Sequence, residues 1–111
     1  MNRGELWTAA GGGQYAGKPR PVLIIQSDLI IFDGSVIVIP TTTVEPSEET
    51  RFRVFLPSRV TGLRQDCYLM VDKIQALKKT NLGKRVGQVP PGILKDLRST
   101  ILVLLGFLDG N

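Results

Sequence analysis

The residue types that could carry chemistry are few and unevenly placed. Arg20 stands between two prolines in K-P-R-P, directly before the apolar run Val22 to Ile25. Proline on each side restricts the local backbone to extended or turn conformations. A guanidinium is thereby held at the mouth of a rigid strand. Its planar fork can donate two parallel bonds to an anion such as a phosphoryl group. Alone, the pattern is also that of a solvated arginine at a strand start. Three threonines, Thr41, Thr42 and Thr43, follow Pro40 at the end of a second apolar run. A threonine hydroxyl can donate to a phosphoryl oxygen and hold a reacting group in line. The plainer role of such a run is to cap a strand and satisfy loop amides. Asp72, beside Lys73, either accepts a proton or forms an ordinary surface ion pair with Lys73 or Arg64.

Other chemistries are excluded by composition. The 111 residues contain no histidine and one cysteine, Cys67. Histidine-based proton transfer and histidine-containing metal sites are therefore absent, and a structural zinc site has too few ligands. No metal and no cofactor are expected. Cys67 lies in an apolar stretch with no histidine to activate it, which reads as an inert buried thiol. The G-G-G at positions 11–13 lacks the G-K-[ST] ending of a phosphate-cradling loop. At 42% hydrophobic and 22% charged residues the chain has an ordinary globular composition, with room for one domain and a modest core. A net charge of +4 suits a polyanionic partner without naming one. The opening M-N-R-G-E-L has no apolar signal core, and Ile101 to Leu105 is too short to span a bilayer, so a cytoplasmic, membrane-free protein is expected.

The elements that must position these residues are short. Glu5–Ala9, with a core-type Trp7, reads as a first strand, Val22–Gln26 as a second and Val36–Thr41 as a third. Between the first two lies the glycine-rich loop 10–18. Its Tyr15 either stacks on a nucleobase or packs on the surface. Ser27–Asp33 predicts a helical turn ended by Gly34, and Val44–Thr50 an exposed loop. Arg51–Leu56 alternates cation and apolar residue, which predicts a fourth strand with one basic face. Pro57–Arg64 is a turn region, Cys67–Val71 a fifth strand continued near Ile74–Leu77, Lys78–Gly83 a basic turn, and Arg85–Val89 a last strand. Pro90 and Pro91 open a helix. Its stripe is Ile93, Leu94, Leu97, Ile101, Leu104 and Leu105, with Gly106 as cap. Leu102 and Val103 lie off that stripe, which predicts a helix set in a groove or against a second subunit. The sum is mainly β with a C-terminal helix, as a small, strongly bent sheet or barrel.

Five blocks in register carry a family resemblance over nearly the whole chain. R-G-E-L-W (Arg3–Trp7), G-K-P-R-P-V-L-I-I-Q-S-D, V-I-V-I-P-T-T-T (Val36–Thr43), G-L-R-Q-D-C-Y-L-M-V-D-K-I (Gly62–Ile74) and L-G-K-R-V-G-Q-V, followed by a helix ending L-V-L-L-G, resemble the MazF/PemK toxin endoribonucleases. The resemblance implies one toxin domain over residues 1–111, folded as an SH3-like barrel of the CcdB/MazF type, and a two-fold homodimer. It implies metal-independent cleavage of single-stranded RNA at a short motif, leaving a 2′,3′-cyclic phosphate and a 5′-hydroxyl, with arrest of translation and growth. Arg20 would stabilise the phosphorane, Thr42 would pair with it, and Asp72 would accept the 2′-hydroxyl proton or orient Arg20. Tyr15, Lys18, Thr43, Arg53, Lys73 and Lys78 would contact RNA. Other cations (Arg51, Arg59, Arg64, Lys79, Lys84 and Arg85) could extend an electrostatic track. Lys73 departs from the family's usual glutamine, which puts sequence specificity in doubt. A cognate antitoxin with an acidic disordered tail would compete for the basic cleft. The rival reading is a non-catalytic, gyrase-binding toxin of the CcdB type on the same fold, which has no need of an arginine–threonine phosphate site.

Overall fold

The protein is described by a computed structural model, which covers residues 1–10 and 19–108. The glycine-rich loop, with Tyr15 and Lys18, falls outside the described residues. Among the described residues seven strands follow in order: β1 (Glu5–Ala9), β2 (Arg20–Ile24), β3 (Ser35–Thr42), β4 (Val54–Leu56), β5 (Cys67–Leu69), β6 (Gln75–Lys78) and β7 (Leu82–Gln88). A short helix, α1 (Ser58–Thr61), precedes β5, and the long helix α2 (Pro91–Leu104) follows β7. Single 3₁₀ turns occupy Val71–Lys73 and Lys79–Asn81. Among the described residues no helix is long and apolar enough to cross a membrane.

The sheet is antiparallel and runs β4-β5-β3-β2-β1-β7, with β6 also on β3. Strand β3 is its spine. One edge pairs with β2; the other is shared, β6 taking Ser35–Val38 and β5 taking Thr41 and Thr42. Pro40 sits where one partner ends and the other begins, a place where a missing N–H costs no ladder bond. Its carbonyl still accepts from the Met70 N–H at 2.8 Å. Strands buried on both faces read as continuous apolar runs, which is why V-I-V-I does not alternate. Ile39 faces a core with Leu6, Leu23, Leu69 and Leu97, while Val36 and Val38 face a second with Val22, Ile24 and Leu77. Trp7 packs against that second cluster, as a core tryptophan should.

Helix α2 begins at Pro91, whose absent N–H has no acceptor in a first turn anyway. Leu97 is fully buried, with Ile93, Leu94, Ile101 and Leu104 packed against the main core. Leu105 does not belong to the stripe: it is the C-cap, 53% exposed. Gly106 follows in the left-handed region at φ +78° and closes the helix.

Two local expectations are overturned. Ser27–Asp33 forms no helix; only the Ile30 N–H turns back to the Ser27 carbonyl, and Leu29 to Phe32 stand exposed. The fourth strand spans Val54–Leu56 alone and has no basic face. Arg51 folds over the Phe52 ring at 4.8 Å, and the outward residue is Phe55. An alternating pattern cannot distinguish a strand from an approach loop whose cations find local partners.

The α1 end of the molecule closes onto β7 at Gly87, where a β-carbon would collide with the Thr61 carbonyl oxygen. Gly92, in the first turn of α2, faces open space. Gly87→Ala should therefore lower stability by about 1–3 kcal/mol, while Gly92→Ala should be neutral or raise it by up to about 1 kcal/mol. Urea midpoints of the two variants check this, and equal shifts would contradict the close approach.

Candidate functional site

Strand β2 begins at Arg20 and β3 ends at Thr42, on adjoining antiparallel strands. The ladder between them stops at Val22–Pro40. One step beyond, Pro21 has no N–H to give. The hydroxyl of Thr41, only 3% exposed, donates instead to the Pro21 carbonyl at 2.7 Å. A further step in register sets Arg20 opposite Thr42. The Cys67 thiol lies against the same hydroxyl. Burial pushes the Cys67 thiol up to about 11, outweighing Thr41, so the S–H persists at neutral pH.

These strand ends open onto a cleft of ≈ 760 Å³. Arg20, Thr41, Thr42 and Thr43 form one side; Arg64, Lys84 and Arg85, from the α1–β5 loop and β7, also line it. Thr8 contributes from β1, its hydroxyl accepting the Lys84 N–H at 3.0 Å. Arg85 is spoken for: it bonds Gln88 and pairs with Glu5 at 3.4 Å. Glu5 is held ionised, its carboxyl below the usual range through the Asn2 N–H and the Trp7 indole, with Arg85 adding to them. Among the described residues Arg20, Arg64 and Lys84 have no carboxylate within ion-pair distance. The cleft therefore presents uncompensated positive charge beside hydroxyl donors. That is a chemistry for binding phosphoryl oxygens and the charge they gain in reaction. A smaller hollow of ≈ 190 Å³, lined by Met1, Asp28, Ile31 and Lys79 among others, includes Val36 from the opposite half of β3 and none of these groups.

The structure brings together Arg20, Thr42 and Thr43 but does not bring Asp72 to them. Asp72 begins no cleft wall; its two carboxylate oxygens accept from Arg53 Nε and Nη2 at 3.2 and 3.4 Å. Its ion partner is thus Arg53, not the Lys73 or Arg64 suggested by sequence proximity. Burial works against its ionisation, but the Arg53 bonds, its own N–H and the charges of Arg53 and Lys73 prevail and hold the carboxyl below its usual value. Lys73 and Lys78 are exposed and outside the cleft lining. Lys78 pairs with Ser35, seven residues down β3 from Thr42, or roughly 23 Å at strand rise. Thr41 was named only as a member of the threonine run, without its structural part, and Thr8 was not singled out. The signal for Thr41 was alternation, which puts it on the inward face with Ile37 and Ile39.

Known proteins resemble this chain in sequence and in fold. Residues 2–105 match the family described as PemK-like, MazF-like toxin of type II toxin-antitoxin system. A protein of Mycolicibacterium smegmatis named probable endoribonuclease MazF is 40% identical over 107 residues, covering 96% of this chain and 97% of its own. In fold, the chain resembles the Mycobacterium tuberculosis toxin MazF-mt6 at a TM-score of 0.76 and 23% identity, over 92% of this chain and 96% of that one. It also resembles a mycobacterial endoribonuclease solved in complex with its cognate antitoxin, at a TM-score of 0.71 and 23% identity over 96% and 93%. A curled, mostly antiparallel sheet closed by a C-terminal helix is common to them. The chain belongs to the PemK/MazF family of toxins.

Two measurements test the local geometry. Thr41→Val removes the hydroxyl from a buried carbonyl and thiol at nearly constant volume, and should cost about 1–3 kcal/mol, with Thr41→Ser recovering most of it. Asp72, whose folded-state value is depressed, stabilises the fold above its unfolded value of about 3.9, and that stabilisation fades as pH falls through the folded value. At 40% exposure the pair should contribute no more than about 1 kcal/mol. Urea midpoints of wild type and Asp72→Asn should differ at neutral pH and converge in acid; a gap that widens in acid contradicts the assignment.

Proposed function

We propose that this toxin is a metal-independent endoribonuclease that cuts single-stranded RNA by internal transesterification. The observation that carries the reading is the meeting of Arg20 and Thr42 at one cleft in which, among the described residues, Arg20, Arg64 and Lys84 have no carboxylate partner. The RNA 2′-oxygen attacks the adjoining phosphorus, its proton passes to water, and the P–O5′ bond breaks. The products are a 2′,3′-cyclic phosphate and a 5′-hydroxyl. The five-coordinate intermediate carries extra negative charge on its non-bridging oxygens. Arg20 supplies two aligned donors and a fixed charge there, and the Thr42 hydroxyl adds a third donor that orients the phosphoryl group. The departing 5′-oxygen takes its proton from Arg20, water or the substrate.

Asp72 enters this scheme through Arg53. Tied to that guanidinium and held ionised, it is a weak proton acceptor and acts as a positioning residue. Thr43, Arg64 and Lys84 extend phosphate contacts along the cleft, while Lys73 and Lys78 lie too far aside for the same phosphate and contribute long-range attraction only. Tyr15 and Lys18 adjoin Arg20 in sequence and are proposed to contact RNA from the loop they share. The protein works as a cytoplasmic homodimer. An acidic, disordered segment of its antitoxin occupies the positive cleft and excludes RNA, in keeping with the antitoxin complex of the structural relative.

Purified protein incubated with a long single-stranded RNA in EDTA should cut at a recurrent short motif. Arg20→Ala should lower kcat by at least about 10²–10³-fold, and Thr42→Val by a similar order, without unfolding the protein. End-mapping should show cyclic phosphate and 5′-hydroxyl termini. A folded wild type that leaves several unrelated RNAs intact, or cuts only when a metal is added, overturns the mechanism; gyrase binding would then be measured.

A further inference from the structure

Strand register places an aromatic pair beside the proposed reaction centre. Tyr68 on β5 is the direct partner of Thr42 on β3, and Phe55 on β4 is the direct partner of Tyr68. Directly opposed residues of an antiparallel ladder share one face of the sheet. Arg20, Thr42, Tyr68 and Phe55 thus form a single row across β2, β3, β5 and β4. The alternate residues, Thr41, Leu69 and Leu56, are buried on the inward side. The row faces out. Phe55 is 45% exposed and Tyr68 half-buried, their ring centroids 5.3 Å apart and the planes inclined at 43°. At about 4.8 Å per strand, the Tyr68 backbone lies roughly 5 Å from Thr42 and 10 Å from Arg20.

A tilted aromatic pair can be simple cross-strand stabilisation, as between many neighbouring strands. Its placement argues for more. It is an aromatic surface partly open to solvent, one strand from Thr42 in register and just outside the residues that line the cleft. An RNA strand alternates anionic phosphate with aromatic base at the same scale. We propose that Tyr68 and Phe55 form a stacking platform for one unpaired nucleobase adjoining the phosphate held by Arg20 and Thr42. Every base has a π-face, so the platform supplies affinity and sets where the strand lies, with little choice among bases. The Tyr68 hydroxyl, donor and acceptor together, is the one group on it able to read a base edge. The inference rests on the nuclease reading above.

The test uses the full-length protein with a short RNA spanning its mapped cleavage motif. Stacking acts in ground and transition states alike, so its loss raises KM and leaves kcat within about twofold. Phe55→Leu and Tyr68→Leu, which keep apolar bulk but remove the π-face, should each raise KM by about 5–100-fold. Tyr68→Phe should stay near wild type in KM. A cleavage-resistant RNA with a 2′-deoxy group at the cut site and 2-aminopurine in place of a flanking base reports stacking directly. Its fluorescence should be quenched on binding wild type and recover in Phe55→Leu. If wild type cuts, Arg20→Ala does not, and both leucine variants keep wild-type KM and quenching, the platform falls while the nuclease reading stands. If the variants lose kcat alone, or shift the dimer–monomer balance in light scattering, the row serves catalysis or a second copy of the chain, and the platform is equally wrong. If wild type neither cuts nor binds the RNA, both inferences fall.

Discussion

The hydrogen bond from Thr41 to the Pro21 carbonyl fastens the two strands that the candidate site needs. Three prolines crowd this corner, Pro19 and Pro21 on one side and Pro40 on the other. Each stiffens the chain and each withholds a donor. Between these strand ends a regular ladder would run short just where Arg20 and Thr42 must face each other. A buried hydroxyl makes good the loss at 2.7 Å, with a thiol behind it. One such bond contributes only about 0.5–1.5 kcal/mol to stability. Its leverage is geometric, because Arg20 and Thr42 are each one residue away from its ends.

Charge is sorted with similar economy. Arg51, Arg53 and Arg85 are neutralised by Glu48, Asp72 and Glu5. Among the described residues Arg20, Arg64 and Lys84 are not, and these three line one cleft. The modest net charge of +4 understates the local field, since what a polyanion meets is the residue left after pairing. The same field draws an RNA strand and, on the proposed function, an acidic antitoxin segment. Competition between them then needs no conformational signal.

Much of this was legible in the sequence, and the failures have identifiable causes. Strand β1, the apolar spine β3 and helix α2 announce themselves through uninterrupted or periodic apolar runs and through proline placement, and they fell where expected. Arg20 stood out by its proline neighbours, and Thr42 only through the family resemblance. Local rules failed where long-range partners decided the outcome. Arg51 and Arg53 looked like one basic strand face because alternation is blind to Glu48 and Asp72, the second of which is nineteen residues distant from Arg53. Asp72 looked available because its partner arrives from another part of the chain. Leu105 continued an apolar stripe, yet the helix had already ended. The row from Arg20 to Phe55 crosses four strands and becomes visible only once register is known.

Cys67 carries a consequence of its own. Its thiol is almost wholly buried where β5 meets the cleft wall, and burial keeps it protonated. Alkylating reagents act on thiolate, so the folded state is doubly protected. The rate at which such a reagent labels the chain under native conditions therefore counts the openings of that one junction. The only cysteine of the chain is a built-in clock for the local unfolding of the segment that aligns Thr41 with Pro21. It lets the rigidity of this corner be followed without introducing any probe.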